Sequence, residues 1–173
     1  SDTNNINAFE PSISGPLAVF RGIVQFAVFL LLTMLLVPIQ IIVMFFTRGP
    51  KAYIVPLFWQ RCIRRTFQIK VEIEGTPVKD QQTVYVSNHL SYLDIPAIAP
   101  ELHASFVAKA DVASWPVFGY LAKLQQTAFI SRARSQVNQG KNAIGNMIEE
   151  GKNLIIFPEG TSSDGTEVLS FKS

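Results

Sequence analysis

A run of 30 mostly apolar residues from Leu17 to Phe46 constrains this chain more than any other feature. Its polar exceptions are Arg21, Gln25, Thr33 and Gln40. As one straight helix it would be about 45 Å long, against a hydrocarbon core of about 30 Å. That exceeds what the buried core helix of a soluble protein needs, so the run reads as membrane-embedded. Pro38 lies inside it and is expected to kink or break a helix there. Two arrangements fit: one long, tilted spanning helix, or a broken pair of helices lying in one leaflet. Composition points the same way. The 173 residues are 48% hydrophobic and only 16% charged, with a mean hydropathy of +0.24. That balance is unusual for a soluble domain.

Charge flanks the apolar run unequally. Residues 1–16 carry Asp2 and Glu10 with no base, whereas 48–65 carry Arg48, Lys51, Arg61, Arg64 and Arg65 with no acid. If the run spans, this asymmetry puts the C-terminal portion in the cytoplasm. Ala52 to Arg65 also mixes Tyr53, Phe58 and Trp59 with the arginines. Such a stretch fits a headgroup interface or an ordinary connecting helix with a solvated face. The expected organisation is a loose polar leader over 1–16, membrane-embedded or interfacial helices over 17–65, and one folded domain over 66–173. The apolar run lacks the basic leader and small-residue cleavage site of a signal peptide.

Composition also excludes several classes. A net charge of +2, without a basic run interleaved with aromatics, does not suit nucleic-acid binding. Cys62 is the single cysteine, so no disulfide forms within the chain. One Cys and two scattered His make no zinc site, and no metal is expected.

After Thr66 the pattern changes. Phe67, Ile69, Val71 and Ile73 alternate with polar residues, which predicts a strand ended by Gly75 and Pro77. Further strands are expected at Thr83–Ser87, Ser105–Ala108, Thr127–Ser131 and Asn153–Phe157. Helices are expected at Ile95–Ala99, Val112–Leu124 and Gln136–Glu150, the last with Val137, Ile144, Met147 and Ile148 along one stripe. Strands alternating with helices argue for an α/β layered domain.

One segment carries chemistry. Asn88-His89-Leu90-Ser91-Tyr92-Leu93-Asp94 follows a strand-like run and places a carboxylate five positions after an imidazole. Residues five apart do not share a helix face, so a His–Asp contact needs a turn. Pro96 places a helix start just beyond Asp94. That arrangement suits a neutral His89 as general base, with Asp94 fixing its tautomer and steadying the imidazolium. Asn88 either holds the turn or only caps it. Arg132 follows a strand, and its fork of donors matches an anionic headgroup. Lys109 ends another strand and could bring charge toward a donor substrate or an oxyanion. Gly160 lets the backbone approach a ligand closely, with its amide as a donor. Cys62 reads as structural, and His103 as a surface or helix-end residue.

Four segments in order resemble the glycerolipid acyltransferases of the lysophosphatidate acyltransferase type. They are Asn88-His89-x4-Asp94, Phe106-Val107-Ala108-Lys109, Phe129-Ile130-Ser131-Arg132 and Phe157-Pro158-Glu159-Gly160-Thr161. Phe171-Lys172 also resembles the start of that family's next strand, so the likeness runs from Val71 to the C-terminus. It implies a layered α/β acyltransferase domain, a central mixed sheet flanked by helices, preceded by the membrane-embedded helical segment. It implies His89 and Asp94 as the catalytic pair, with Glu159, Gly160 and Thr161 shaping the acceptor pocket. The reaction implied moves a fatty acyl group from acyl-CoA or acyl carrier protein to a lysolipid hydroxyl on the cytoplasmic face of a membrane. No cofactor beyond the thioester co-substrate is expected. The first acceptor suggested is 1-acyl-glycerol-3-phosphate, giving phosphatidate.

Two departures qualify this. Many phosphatidate-forming members have Arg where this chain has Ser162, which weakens the case for a phosphate-bearing acceptor and leaves room for a lyso-ornithine lipid. The hydrophobic-Pro segment expected further downstream is absent, so the C-terminal part of the domain is expected to lie beyond Ser173 or to come from a partner. A non-catalytic, membrane-anchored lipid-binding protein is the alternative of another class.

Overall fold

The structure is a computed structural model, and it describes residues 15–47, 49–78, 81–131, 137–163 and 166–171. The apolar run forms one uninterrupted helix, α1, Pro16–Phe46, opened by Pro16. Pro suits that first position because its missing N–H has no intrahelical partner there. Pro38 sits inside α1 without ending it. The chain breaks only after Phe46, and a short 3-10 segment at Gly49–Tyr53 leads into α2, Ile54–Thr66.

α1 is built inside out. Its large apolar side chains, among them Phe20, Leu31, Met34, Leu35 and Phe45, are exposed, and Gln40 is its buried residue at 3% exposure. The polar exceptions in the run all find partners beyond α1, Gln25, Thr33 and Gln40 by turning inward and Arg21 at the exposed rim. Arg21 Nη2 donates to Gln68 Oε1 at 2.7 Å, and Gln25 Nε2 to the Thr66 carbonyl at 2.9 Å. Thr33 Oγ1 accepts from Trp59 Nε1 at 3.1 Å. Gln40 Nε2 donates to the carbonyls of Ala52, 3.0 Å, and Leu124, 2.9 Å. A helix whose apolar side faces outward and whose polar groups bond to the body suits a hydrocarbon surround.

Beyond α2 the chain alternates strands and helices: β1 Val84–Val86, α3 Asp94–Leu102, β2 Ala104–Lys109, α4 Phe118–Leu124, β3 Ala128–Ile130, α5 Val137–Glu149 and β4 Asn153–Ile156. The sheet order is β1-β4-β2-β3, and every described pair is parallel. The layered α/β architecture is as expected. The antiparallel member of the mixed sheet is not among the described strands.

β4 lies at the centre, and its alternate residues serve opposite faces. Ile155 joins Tyr53, Leu57, Ala99 and Phe106 under α2 and α3, while Leu154 joins Val107, Ala128 and Met147 under α5. Both β4 side chains are fully buried, as expected of a parallel sheet covered on both sides. On α5, Ile144 and Met147 pack on the sheet, whereas Ile148 of the predicted stripe is exposed.

Two expectations need correction. The predicted strand over Phe67–Ile73 is not one: Phe67 and Gln68 complete the end of α2, and 69–74 run without ladder pairing. Alternation marks a half-covered face, but a strand also needs a neighbour, and none among the described strands pairs with it. The predicted helix Val112–Leu124 is divided in two. Trp115, ahead of Pro116, is extended at φ −67° and ψ 133°, as the residue before a proline tends to be. A 3-10 turn at Ala110–Ser114 precedes it and α4 follows.

Candidate active site

β1 delivers the chain to a tight turn at the start of α3, and that turn assembles the site. The Asp94 N–H donates to the Ser91 carbonyl at 3.1 Å, and the Leu93 N–H to Ser91 Oγ at 3.1 Å. So folded, Asp94 Oδ2 lies 2.8 Å from His89 Nδ1. The same oxygen accepts from the backbone N–H groups of Leu90, 2.8 Å, and Ser91, 3.1 Å. A carboxylate held by two amides has little freedom to leave the ring. Because that oxygen accepts, Nδ1 is the donating nitrogen, and in the neutral ring Nε2 then carries the lone pair.

The imidazole is set from its other side too. Phe157 stacks on it at 4.3 Å between ring centroids, and Phe106 backs Phe157 at 5.9 Å. The loop beyond β4 closes over the turn, where the Ser163 N–H donates to the His89 carbonyl at 2.8 Å. His89 and Asp94 keep side-chain exposures of 18% and 16%, so both remain reachable.

His89 lines an open cavity of about 310 Å³ at the C-terminal ends of the parallel strands. That end of an open α/β sheet is where such folds place ligands. Lys109, Gly160, Thr161 and Ser162 line it with His89, and Tyr92 and Trp115 supply aromatic wall. The cavity therefore joins an imidazole, an ammonium and the hydroxyls of Thr127, Thr161 and Ser162 to an apolar floor.

The expected site residues are not all placed as expected. Glu159 does not line the cavity. It is at 0% exposure, and its Oε2 accepts from the His89 backbone N–H at 3.4 Å. It sits behind the His89 turn, within the Phe157–Gly160 turn, where its side chain is buried. The Gly160 amide is not a free donor either, since it closes that turn on the Phe157 carbonyl at 3.1 Å. The glycine is still required, because its φ is +63°. Asn88 is exposed at the turn, where its carbonyl accepts from Ser87 Oγ at 2.9 Å. Arg132 lies outside the described residues. His103 is the left-handed C-cap of α3, beside Arg61, as a helix-end residue should be.

Sequence reasoning passed over Phe106, Phe157, Tyr92 and Trp115. Three of these stand within segments already noted, but the packing of aromatic rings around an imidazole is a property of tertiary structure and leaves no spacing signal.

Residues 68–173 match the family model described as Acyltransferase. Among curated proteins, a lyso-ornithine lipid O-acyltransferase of Rhizobium meliloti is 32% identical over 144 residues, covering 83% of this chain and 49% of that protein. One from Brucella abortus is 37% identical, covering 82% and 53%. The chain thus spans about half the length of these relatives. Among solved structures, the 1-acyl-sn-glycerophosphate (LPA) acyltransferase PlsC from Thermotoga maritima is similar with a TM-score of 0.57 and 27% identity, over 88% of this chain and 67% of that one. The family match takes in every segment of the layered domain from β1 onward, including the His89–Asp94 turn, and the chain belongs to the Acyltransferase family.

Proposed function

We propose that this protein transfers a fatty acyl group from a thioester to the hydroxyl of a lysolipid. The observation that carries the reading is the 2.8 Å contact between His89 Nδ1 and Asp94 Oδ2 at the wall of the cavity. With its Nδ1 proton committed to Asp94, His89 Nε2 accepts the hydroxyl proton as the oxygen attacks the thioester carbonyl carbon. The carbon–oxygen bond forms, the carbon–sulfur bond breaks, and the proton returns from the imidazolium to the departing thiolate. Asp94, fixed by two backbone amides, stabilises the imidazolium in between. The step draws its activation from the thioester and calls for no metal or redox cofactor. Glu159 serves as a positioning residue through the His89 amide, while Lys109 and Thr161, on the cavity wall, are the residues offered to polar parts of donor or acceptor.

For the acceptor, two readings stand, a lyso-ornithine lipid and 1-acyl-glycerol-3-phosphate. Ser162 at a cavity position where a cation would suit a phosphate favours the first. The names of the two relatives aligned over more than four fifths of the chain support it as well. The donor is acyl-CoA or acyl carrier protein.

The same reading places α1 and α2 in one leaflet. Arg21 and Gln40 are separated by about 28 Å of helix at 1.5 Å per residue. Arg21 is bonded to Gln68 at the end of α2, which packs on the sheet, and Gln40 to the Leu124 carbonyl of α4. A helix tied along this length lies beside the body that carries the site and does not leave it to cross a bilayer. The basic flank of α2, Arg61, Arg64 and Arg65, suits the cytoplasmic headgroups.

The test crosses both donors with a panel of lysolipids, using the full-length protein and following products by mass spectrometry. Formation of a diacyl product from one acceptor class supports the reading and names the acceptor. Lipid binding with no acyl transfer from either donor overturns it in favour of a binding protein.

A further inference from the structure

A patch of apolar side chains stands exposed where the catalytic layer meets α1. Val117, Phe118 and Tyr120 are 66%, 57% and 51% exposed, and Tyr92 and Leu93 adjoin them. The patch is one surface, because the Tyr92 ring stacks on Phe118 at 6.2 Å and meets Trp115 edge-on at 6.1 Å. It is also continuous with the helix that faces lipid. A second cavity of about 330 Å³, almost wholly apolar, is lined by Phe26 and Phe29 of α1 together with Tyr92, Trp115 and Phe118.

The backbone holds this patch outward. The Phe118 N–H donates to the Pro116 carbonyl at 2.6 Å, closing a three-residue turn around Val117 at φ +61° and ψ −57°. A β-branched residue rarely adopts that conformation. Gly119, directly after it, is pressed so close to Ala113 that a Cβ there would sit 2.5 Å from the Ala113 carbonyl oxygen. The start of α4 is thereby seated on the preceding 3-10 turn and cannot fold its apolar residues inward.

We propose that the Trp115–Tyr120 loop is a second membrane-contact element, and that the leaflet accommodating α1 covers Val117, Phe118 and Tyr120. This rests on the reading of α1 as lipid-facing. Three features favour lipid over a protein partner. The patch runs unbroken into the outward face of α1. Its Tyr and Trp content is that of the headgroup boundary, where amphipathic rings settle. Exposed Lys123, on α4, flanks it with positive charge suited to anionic lipid, although Asp111 is also exposed nearby. Contact of this kind sets the second cavity against the hydrocarbon, beside the wall of the His89 cavity, since Tyr92, Trp115 and Gln125 line both.

The test reads depth and not catalysis. In the chain carrying Trp59→Phe, Trp115 is the single tryptophan. The chain is added to phosphatidylglycerol–phosphatidylcholine vesicles with bromine near the glycerol end of the acyl chains. An element buried about 5–10 Å into the boundary region should lose roughly half of its Trp115 fluorescence or more. Val117→Asp with Tyr120→Asp should then relieve most of that quenching while the chain still sediments with vesicles through α1. If Trp59→Phe does not fold, the difference in quenching between the parent and its Trp115→Phe variant gives the same reading. A vesicle-bound chain whose Trp115 is unquenched overturns the proposal, and shielding of that Trp115 from acrylamide would assign the patch to a protein or a second copy. A chain that does not sediment at all overturns the α1 reading as well, whatever its acyl-transfer activity.

Discussion

Helix α1 and the sheet behind it bury opposite kinds of residue. In the sheet, Leu154 and Ile155 are fully enclosed and polar side chains stand mostly outside. Along α1 most of the leucines and phenylalanines face out, and Gln25, Thr33 and Gln40 are bonded inward. One physical rule yields both results. Apolar area leaves water in each case, but for the sheet it goes into the protein and for α1 into lipid. The His89–Asp94 turn sits where the two regimes meet, which suits the proposed reaction joining an apolar chain to a polar headgroup.

The contrast breaks most sharply at equivalent leucines. Leu154→Ala removes a central, fully enclosed side chain and should cost about 2–5 kcal/mol, read from denaturant unfolding in detergent. Next comes Gln40→Ala, which strands the carbonyls of Ala52 and Leu124 inside the joint between α1 and the body. It should cost about 1–3 kcal/mol and loosen α1 first, measured as faster amide exchange over 16–46 than over β4. Smallest is Leu35→Ala on the outward face of α1, expected within about 0.5 kcal/mol of the parent in the same detergent assay. A large loss at Leu35 together with a small one at Leu154 would reverse the comparison.

How much of this was legible in the sequence follows the same division. The α1 exceptions were visible by eye, and their bonds beyond α1 explain why they are tolerated in an apolar run. The four described strands fall within a residue or so of where β-rich runs place them, since each has a partner. The stretch over 67–74 shows the limit: alternation is local, whereas ladder bonds need a strand from elsewhere in the chain. Pro116 was in plain view, and its effect on Trp115 divides a helix that periodicity alone would join. At the site, the turn bringing Asp94 back to His89 was readable from spacing and Pro96. The inward burial of Glu159 and the use of the Gly160 amide within its own turn were not, because both depend on how one loop closes over another.

The central claim is that His89, oriented by Asp94, takes the proton from the acceptor hydroxyl. Steady-state acyl transfer by the full-length protein and its His89→Ala variant tests it most directly, with thermal unfolding measured beside it. The account predicts a fall in kcat of at least about 100-fold with unfolding unchanged. A folded variant that keeps its kcat within a few-fold of the parent would contradict it.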